Sequence, residues 1–246
     1  MKMTTLTKTT LPFAAVALLA ATSQAAVVNV DIQGTGSGNV GTGIANYTGA
    51  SANGPIASST TWNHFTVGGN PPNGDSMLNL NDDSGAATTV DVTFGTGWLG
   101  SFADGAPNNL QGDRTFIATD VSGDITIGGL NPGGTYNLAL ITGFNVAGSF
   151  STDFTIGGTT LTANDTVGAG TNANGALTFT SGGTHALFSN IIADGSGDIT
   201  FSTTNTAGAS NGVLSGLQIE AVAVPEPSTT ALLGLGGLAL ILRRRK

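Results

Sequence analysis

Asp124-Ile125-Thr126-Ile127-Gly128-Gly129-Leu130-Asn131-Pro132-Gly133-Gly134-Thr135-Tyr136-Asn137-Leu138-Ala139-Leu140 decides the fold class. Ile125 and Ile127 flank Thr126, and beyond the Asn131-Pro132-Gly133-Gly134 turn Tyr136, Leu138 and Leu140 stand two apart. Successive strand side chains point to opposite faces, so each run offers one face to a core. Pro132 lacks an amide hydrogen, and the glycines accept the backbone angles that end a strand. Outward from this stretch the pattern recurs. Val28, Val30 and Ile32 alternate with Asn29 and Asp31, and Val90, Val92 and Phe94 with Asp91 and Thr93. Toward the C-terminus come Phe150, Thr152, Phe154 and Ile156, then Ile199 and Phe201, then Leu217, Ile219 and Ala221 against Gln218 and Glu220. Asn53-Gly54, Pro72-Asn73-Gly74 and Asp194-Gly195 punctuate them as turns. No stretch of this body keeps the i, i+3, i+4, i+7 spacing of a helix. Many short strands between Gly-rich turns predict an all-β, antiparallel β-sandwich, one domain over residues 26–222.

Charge divides the chain differently. Fourteen carboxylates and one basic residue, Arg114, lie between residues 26 and 224, a net of −13 for the body. Nucleic acid and anionic lipid are therefore poor partners, and no nucleic-acid partner is expected. The chain has no cysteine, which removes disulfides, thiol catalysis and thiolate metal sites. At the start, Lys2 and Lys8 precede the apolar Leu11 to Ala21, and Ser23-Gln24-Ala25 supplies small residues for cleavage. Residues 1–25 read as a secretory signal peptide, which makes signal peptidase a partner in export.

The end of the chain has three parts. Residues 223–230 are a Pro/Ser/Thr linker with Val224-Pro225-Glu226-Pro227-Ser228; an apolar run reaches Leu242; and Arg243, Arg244, Arg245 and Lys246 close it. Residues 231–246 are expected to form a short transmembrane helix with a basic tail, the basic cluster staying cytoplasmic. The apolar run of about 12 residues makes roughly 18 Å of helix against a hydrocarbon core of roughly 30 Å, which suits transient anchoring in the inner membrane. This arrangement resembles the PEP-CTERM sorting signal. In that family the signal is recognised by an exosortase, a membrane-embedded, transpeptidase-like enzyme of Gram-negative bacteria that make extracellular polysaccharide. The resemblance implies exosortase as a partner, Val224, Pro225, Glu226, Pro227, Ser228, Arg243, Arg244 and Arg245 as its signal, and delivery to the cell surface or matrix. The prolines deny the segment a helical start and hold it extended, as a protease takes its substrate; removal of everything after about Pro227 is expected.

Two body resemblances specify the sandwich further. Leu130-Asn131-Pro132-Gly133-Gly134-Thr135-Tyr136 resembles the tyrosine corner of fibronectin type III domains, with the Tyr136 ring buried and its hydroxyl bonded back to the backbone near Pro132. The closing Gly212-Val213-Leu214-Ser215-Gly216-Leu217-Gln218-Ile219-Glu220, with Gly197-Asp198-Ile199-Thr200-Phe201 before it, resembles galactose-binding-like and carbohydrate-module jelly rolls. Patterned strands beyond Gly158 favour one jelly roll over a fibronectin domain of about 100 residues.

Several groups offer chemistry. Gly36-Ser37-Gly38-Asn39-Val40-Gly41 fits a dinucleotide fingerprint but opens no helix, so it reads as a Gly-rich loop. Gly74-Asp75-Ser76 is similar to the opening block of lipase-like hydrolases, while neither His64 nor His185 has the Asp three residues before it that the family's last block requires. No catalytic residue is therefore assigned. Two histidines alone make no zinc site. Calcium is the candidate cofactor, because Asp82 and Asp83 in one loop and Asp194 and Asp198 in another concentrate hard oxygen ligands. Trp62 and Tyr47 are the candidate sugar-stacking residues, whereas Trp98 reads as core.

Together these readings describe an exported, sorted surface or matrix protein, structural or carbohydrate-binding, with extracellular polysaccharide as its partner. A secreted polysaccharide hydrolase or esterase and an adhesive filler without a ligand are the alternatives.

Overall fold

The computed structural model describes residues 26–33, 54–57, 61–66, 72–103, 110, 113–118, 120–142, 150–164, 179, 181–206, 209 and 211–223. All but Ala223 belong to one compact unit, Ala25–Val222, whose fold follows. The described residues are strands and turns without a helix. The expected signal peptide, the Gly36–Gly41 loop, Tyr47 and the sorting tail from Val224 lie outside the described residues.

Two large sheets face each other. The first runs in the order β11 (His185–Ile192), β8 (Thr135–Ile141), β14 (Gly216–Ala221), β1 (Val27–Gln33), β2 (Asn63–Thr66). The second runs β10 (Thr159–Asn164), β9 (Ser151–Ile156), β12 (Ile199–Asn205), β7 (Ser122–Gly128), β4 (Asp91–Phe94), β3 (Ser76–Met77). Lettering β1, β7, β8, β9, β10, β11, β12 and β14 as B to I gives the sheets B-I-D-G and C-H-E-F, with every neighbouring pair antiparallel. That is a jelly roll. β2 adds a parallel strand outside β1, and the β3–β4 pair extends the other sheet beyond β7. A small third sheet joins β13 (Gly212–Leu214), β6 (Asp113–Ile117) and β5 (Gly100–Ala103). Its central strand β6 carries the buried Arg114.

The alternation read from the sequence supplies both walls of the core. Val28, Val30, Ile32, Leu138, Leu140, Leu217 and Ile219 come from the first sheet; Val92, Phe94, Ile125, Ile127, Phe154, Ile199 and Phe201 come from the second. Phe94 lies at the centre, edge-on to Phe65 at 5.2 Å and to Trp98 at 5.1 Å. Trp98 is core as expected, its indole N–H donating to the Asp124 carbonyl at 3.1 Å. On the outward face of the second sheet, hydroxyls pair across strands: Ser76 with Thr93, Thr126 with Thr200 and Thr155 with Thr160. Such pairs tie neighbouring strands without an apolar face, each contributing a few tenths of a kcal/mol up to about 1 kcal/mol.

The first sheet departs from a simple inside and outside. Asn29 and Gln218 alternate with core residues as solvent-facing groups do, yet both are buried. They belong to an amide network under the segments around residues 54–57 and 61–63. Gln218 Nε2 donates to Asn29 Oδ1 at 2.6 Å and to the Ala57 carbonyl at 2.9 Å, while Ile56 N–H donates to Gln218 Oε1 at 2.9 Å. Asn29 Nδ2 donates to the Thr61 carbonyl and Asn63 Nδ2 to the Asn29 carbonyl. Gly54 fits there because it lacks a side chain: a Cβ would stand 2.1 Å from the Gln218 carboxamide. Buried polar groups so paired recover the cost of leaving water.

The stretch Asp124 to Leu140 crosses between sheets, β7 in one and β8 in the other. Tyr136 is buried, and its hydroxyl accepts the Asn131 N–H at 2.9 Å. The tyrosine corner therefore forms on a jelly roll, and fibronectin topology is not adopted. Gly129 starts this crossing at φ +71°, with its Cβ position 1.7 Å from the Thr89 carbonyl oxygen. Only glycine allows that approach.

Candidate functional site

The two histidines sit on opposite edges of the first sheet, His64 on β2 and His185 on β11, with β8, β14 and β1 between. They share no site. His185 is buried edge-on to Phe179 at 6.1 Å, and burial pushes it below the ordinary histidine value, which holds it neutral. Ser76 of the hydrolase-like block faces away from both, bonded to Thr93 on the other sheet. Among these residues no Ser-His-Asp arrangement forms.

One pairing was invisible in the sequence. His64 Nδ1 lies 3.1 Å from Asp31 Oδ2, because the parallel register of β1 and β2 sets the two residues side by side. The Asp31 side chain is 4% exposed and that of His64 20%. Asp31 Oδ1 has no hydrogen-bond partner among the described residues. A carboxylate on Nδ1 fixes the tautomer of an imidazole and orients Nε2, the arrangement acid–base histidines use.

Neither acidic loop gathers a metal-binding cluster. No group of three or more His, Asp or Glu side chains among the described residues is arranged to hold a cation. Instead the carboxylates build turns. Asp82 Oδ1 accepts the Ser84 hydroxyl at 2.6 Å and the Ser84 and Ala86 amides at 2.9 Å. Asp194 Oδ1 accepts the Ser196 and Asp198 amides at 2.8 and 2.9 Å. Asp83 instead latches the loop to β1, its Oδ1 3.5 Å from Val27 N. The same Asp, Ser and Gly that suggest calcium are those such turns use.

These hydrogen bonds lower both acids, the Ser84 hydroxyl leading at Asp82 and the Asp198 amide at Asp194. A folded pKa below the ordinary 3.8 means stabilisation that is present above that value and lost as pH falls through the folded value. Melting temperature is expected to fall below pH 3.8 less steeply in an Asp82→Asn, Asp194→Asn double variant than in the parent. Superimposable pH profiles would refute these two turns as part of the acid response.

Trp62 does not offer a stacking face. It is 5% exposed and packs with Leu110, Ile141 and Phe179, covering the outer face of the first sheet. Its polar neighbours Thr61 and Asn63 suggested exposure, but Asn63 is spent on the amide network. A different feature is open to solvent. β10 is the edge of one sheet and β11 the edge of the other, and a cleft of about 570 Å³ lies between them. Ile156, Leu161, Leu187 and Ile191 supply apolar lining; Asn190, Asp194 and Asp198 supply amide and carboxylate. A register shift between Phe188 and Ile191 shapes this wall, with Asn190 at φ +57° and its N–H donating to Asn137 Oδ1 at 3.2 Å. Bulges of this kind re-aim side chains at sheet edges.

The Pro-Glu-Pro linker, apolar run and basic end match a known family model over residues 223–246. Residues 223–246 carry the PEP-CTERM protein-sorting motif. The PEP-CTERM motif marks the chain for export, membrane-anchored sorting and exosortase processing. No curated protein matches the chain. Solved structures similar to it include the insecticidal crystal protein Cry2Aa, 21% identical, with TM-score 0.29, covering 50% of this chain and 18% of that one. Another is an exo-β-1,3-galactanase from Phanerochaete chrysosporium with galactose, 13% identical, with TM-score 0.30, covering 56% of this chain and 31% of that one. The chain thus spans less than a third of either protein's length.

Proposed function

We propose that the jelly roll is a structural or glycan-binding component of an extracellular polysaccharide matrix, delivered by signal peptidase and exosortase. The PEP-CTERM motif carries this reading. In this scheme residues 1–25 are removed on export, residues 231–246 hold the chain briefly in the inner membrane, and cleavage after about Pro227 leaves the body at the cell surface or in the matrix. The body's charge of −13 keeps it off nucleic acid and anionic lipid, and a sandwich without cysteine is indifferent to the redox state outside the cell.

The Asp31–His64 pair favours a second reading, a polysaccharide hydrolase or esterase with His64 as acid–base group. One set of measurements separates the two. The full-length chain in mild detergent is run through native gels containing the host's extracted polysaccharide, with calcium and with a chelator. Retardation supports the matrix role, and its loss with chelator assigns calcium to the bound state. Release of acetate or reducing sugar from the same polysaccharide, abolished by His64→Ala but not by His185→Phe, would support the enzyme. Free migration without product release would leave a filler.

A further inference from the structure

We infer that the cleft between β10 and β11 is the glycan site, and that it takes neutral sugar units and rejects acidic ones. This rests on the glycan-binding reading above and moves the site away from Trp62, whose ring is covered. The cleft volume of about 570 Å³ is that of a small-molecule site and accommodates a short stretch of oligosaccharide. Its lining has the two chemistries a pyranose needs. Ile156, Leu161 and Ile191, each only partly buried against the core, face the cleft with C–H surface suited to a sugar ring. Ile192, 67% exposed, extends this surface at the rim. Asn190, Asp194 and Asp198 supply acceptors and a donor for vicinal hydroxyls.

Charge selects among sugars. Among the described residues, the cleft lining contains two carboxylates and no basic side chain. The body's single basic residue, Arg114, is buried in β6 of the small third sheet. A uronate would bring a third negative charge without a counter-charge, whereas a neutral hexose replaces water on the carboxylates with its own hydroxyls.

The test uses the full-length chain in mild detergent and gels cast with neutral galactomannan, neutral β-glucan or polygalacturonate. Retardation is expected in at least one neutral gel and absent in polygalacturonate. Thr159→Trp, which fills the cleft from an exposed position on β10, and the Asp194→Asn, Asp198→Asn pair are each expected to weaken binding about tenfold or more. Asparagine keeps an oxygen for the turn amides, and a cooperative melting transition shows that each variant is folded. Parental retardation that persists in both variants overturns the cleft while leaving the matrix reading in place. Retardation by polygalacturonate in chelator overturns the selectivity. Free migration in the neutral gels and in the host-polysaccharide gel overturns glycan binding itself.

Discussion

Cells making a Pro225→Ala, Pro227→Ala chain are expected to keep it whole, whereas the parent chain loses its basic end. Each proline fixes φ near −65° and withholds an amide hydrogen, and each restrains the residue before it, so Val224 to Ser228 is expected to be extended. Alanine is the strongest helix former, so the two substitutions are expected to let the linker coil. The linker is then expected to reach the exosortase coiled. Intact-mass measurement on protein from the cell surface distinguishes the cases: the parent is expected to end near Pro227, the variant to retain Arg243 to Lys246. Equal processing of both chains would separate recognition from backbone conformation, and a parent that keeps its tail would remove cleavage from the scheme.

Phe94→Ala is expected to destabilise the body by about 4 kcal/mol. The side chain is fully buried between two edge-on aromatics, Phe65 and Trp98, so its removal forfeits both contacts and leaves a cavity that a rigid sandwich fills poorly. For a body of this size that corresponds to a fall in melting temperature of roughly 8 to 16 °C. No disulfide supplies a reserve, and total stabilities run to about 5–15 kcal/mol, so secreted yield should fall with it. Leu78→Ala is the control, since Leu78 is 61% exposed and its loss should change stability by no more than about 0.5 kcal/mol. Calorimetry on the two variants checks the contrast; similar melting temperatures would mean that Phe94 does not centre the core.

Legibility followed the side chains that alternate by polarity. β1, β4, β7, β8, β9, β12 and β14 were readable because their apolar residues mark one face, and these strands supply most of both walls. β10, Thr159–Asn164, was not, since threonine and asparagine fill most of its positions and only hydrogen bonding to β9 makes it a strand. β11 was hidden by its own bulge, which breaks the period at Asn190. Tyr136 shows that a local motif can form without the topology it resembles: the hydroxyl needs only an amide five positions before it, which a jelly roll also provides. The candidate sites were harder. Asp31 and His64 are 33 residues apart and meet through a parallel pairing with no local signature. Trp62 looked exposed because its neighbours are polar, and the amide network that buries those neighbours depends on Gln218, distant in sequence.

Arg114 has one more consequence. Between residues 26 and 223 it is the sole peptide position after which a trypsin-like protease can cut. It lies in β6, with β13 hydrogen-bonded on one side and β5 on the other, and it is 8% exposed. Such proteases need several residues of extended, unpaired backbone, which this strand does not release while the sheet is intact. In surroundings rich in secreted hydrolases, the folded body gives that large class of enzymes nowhere to begin.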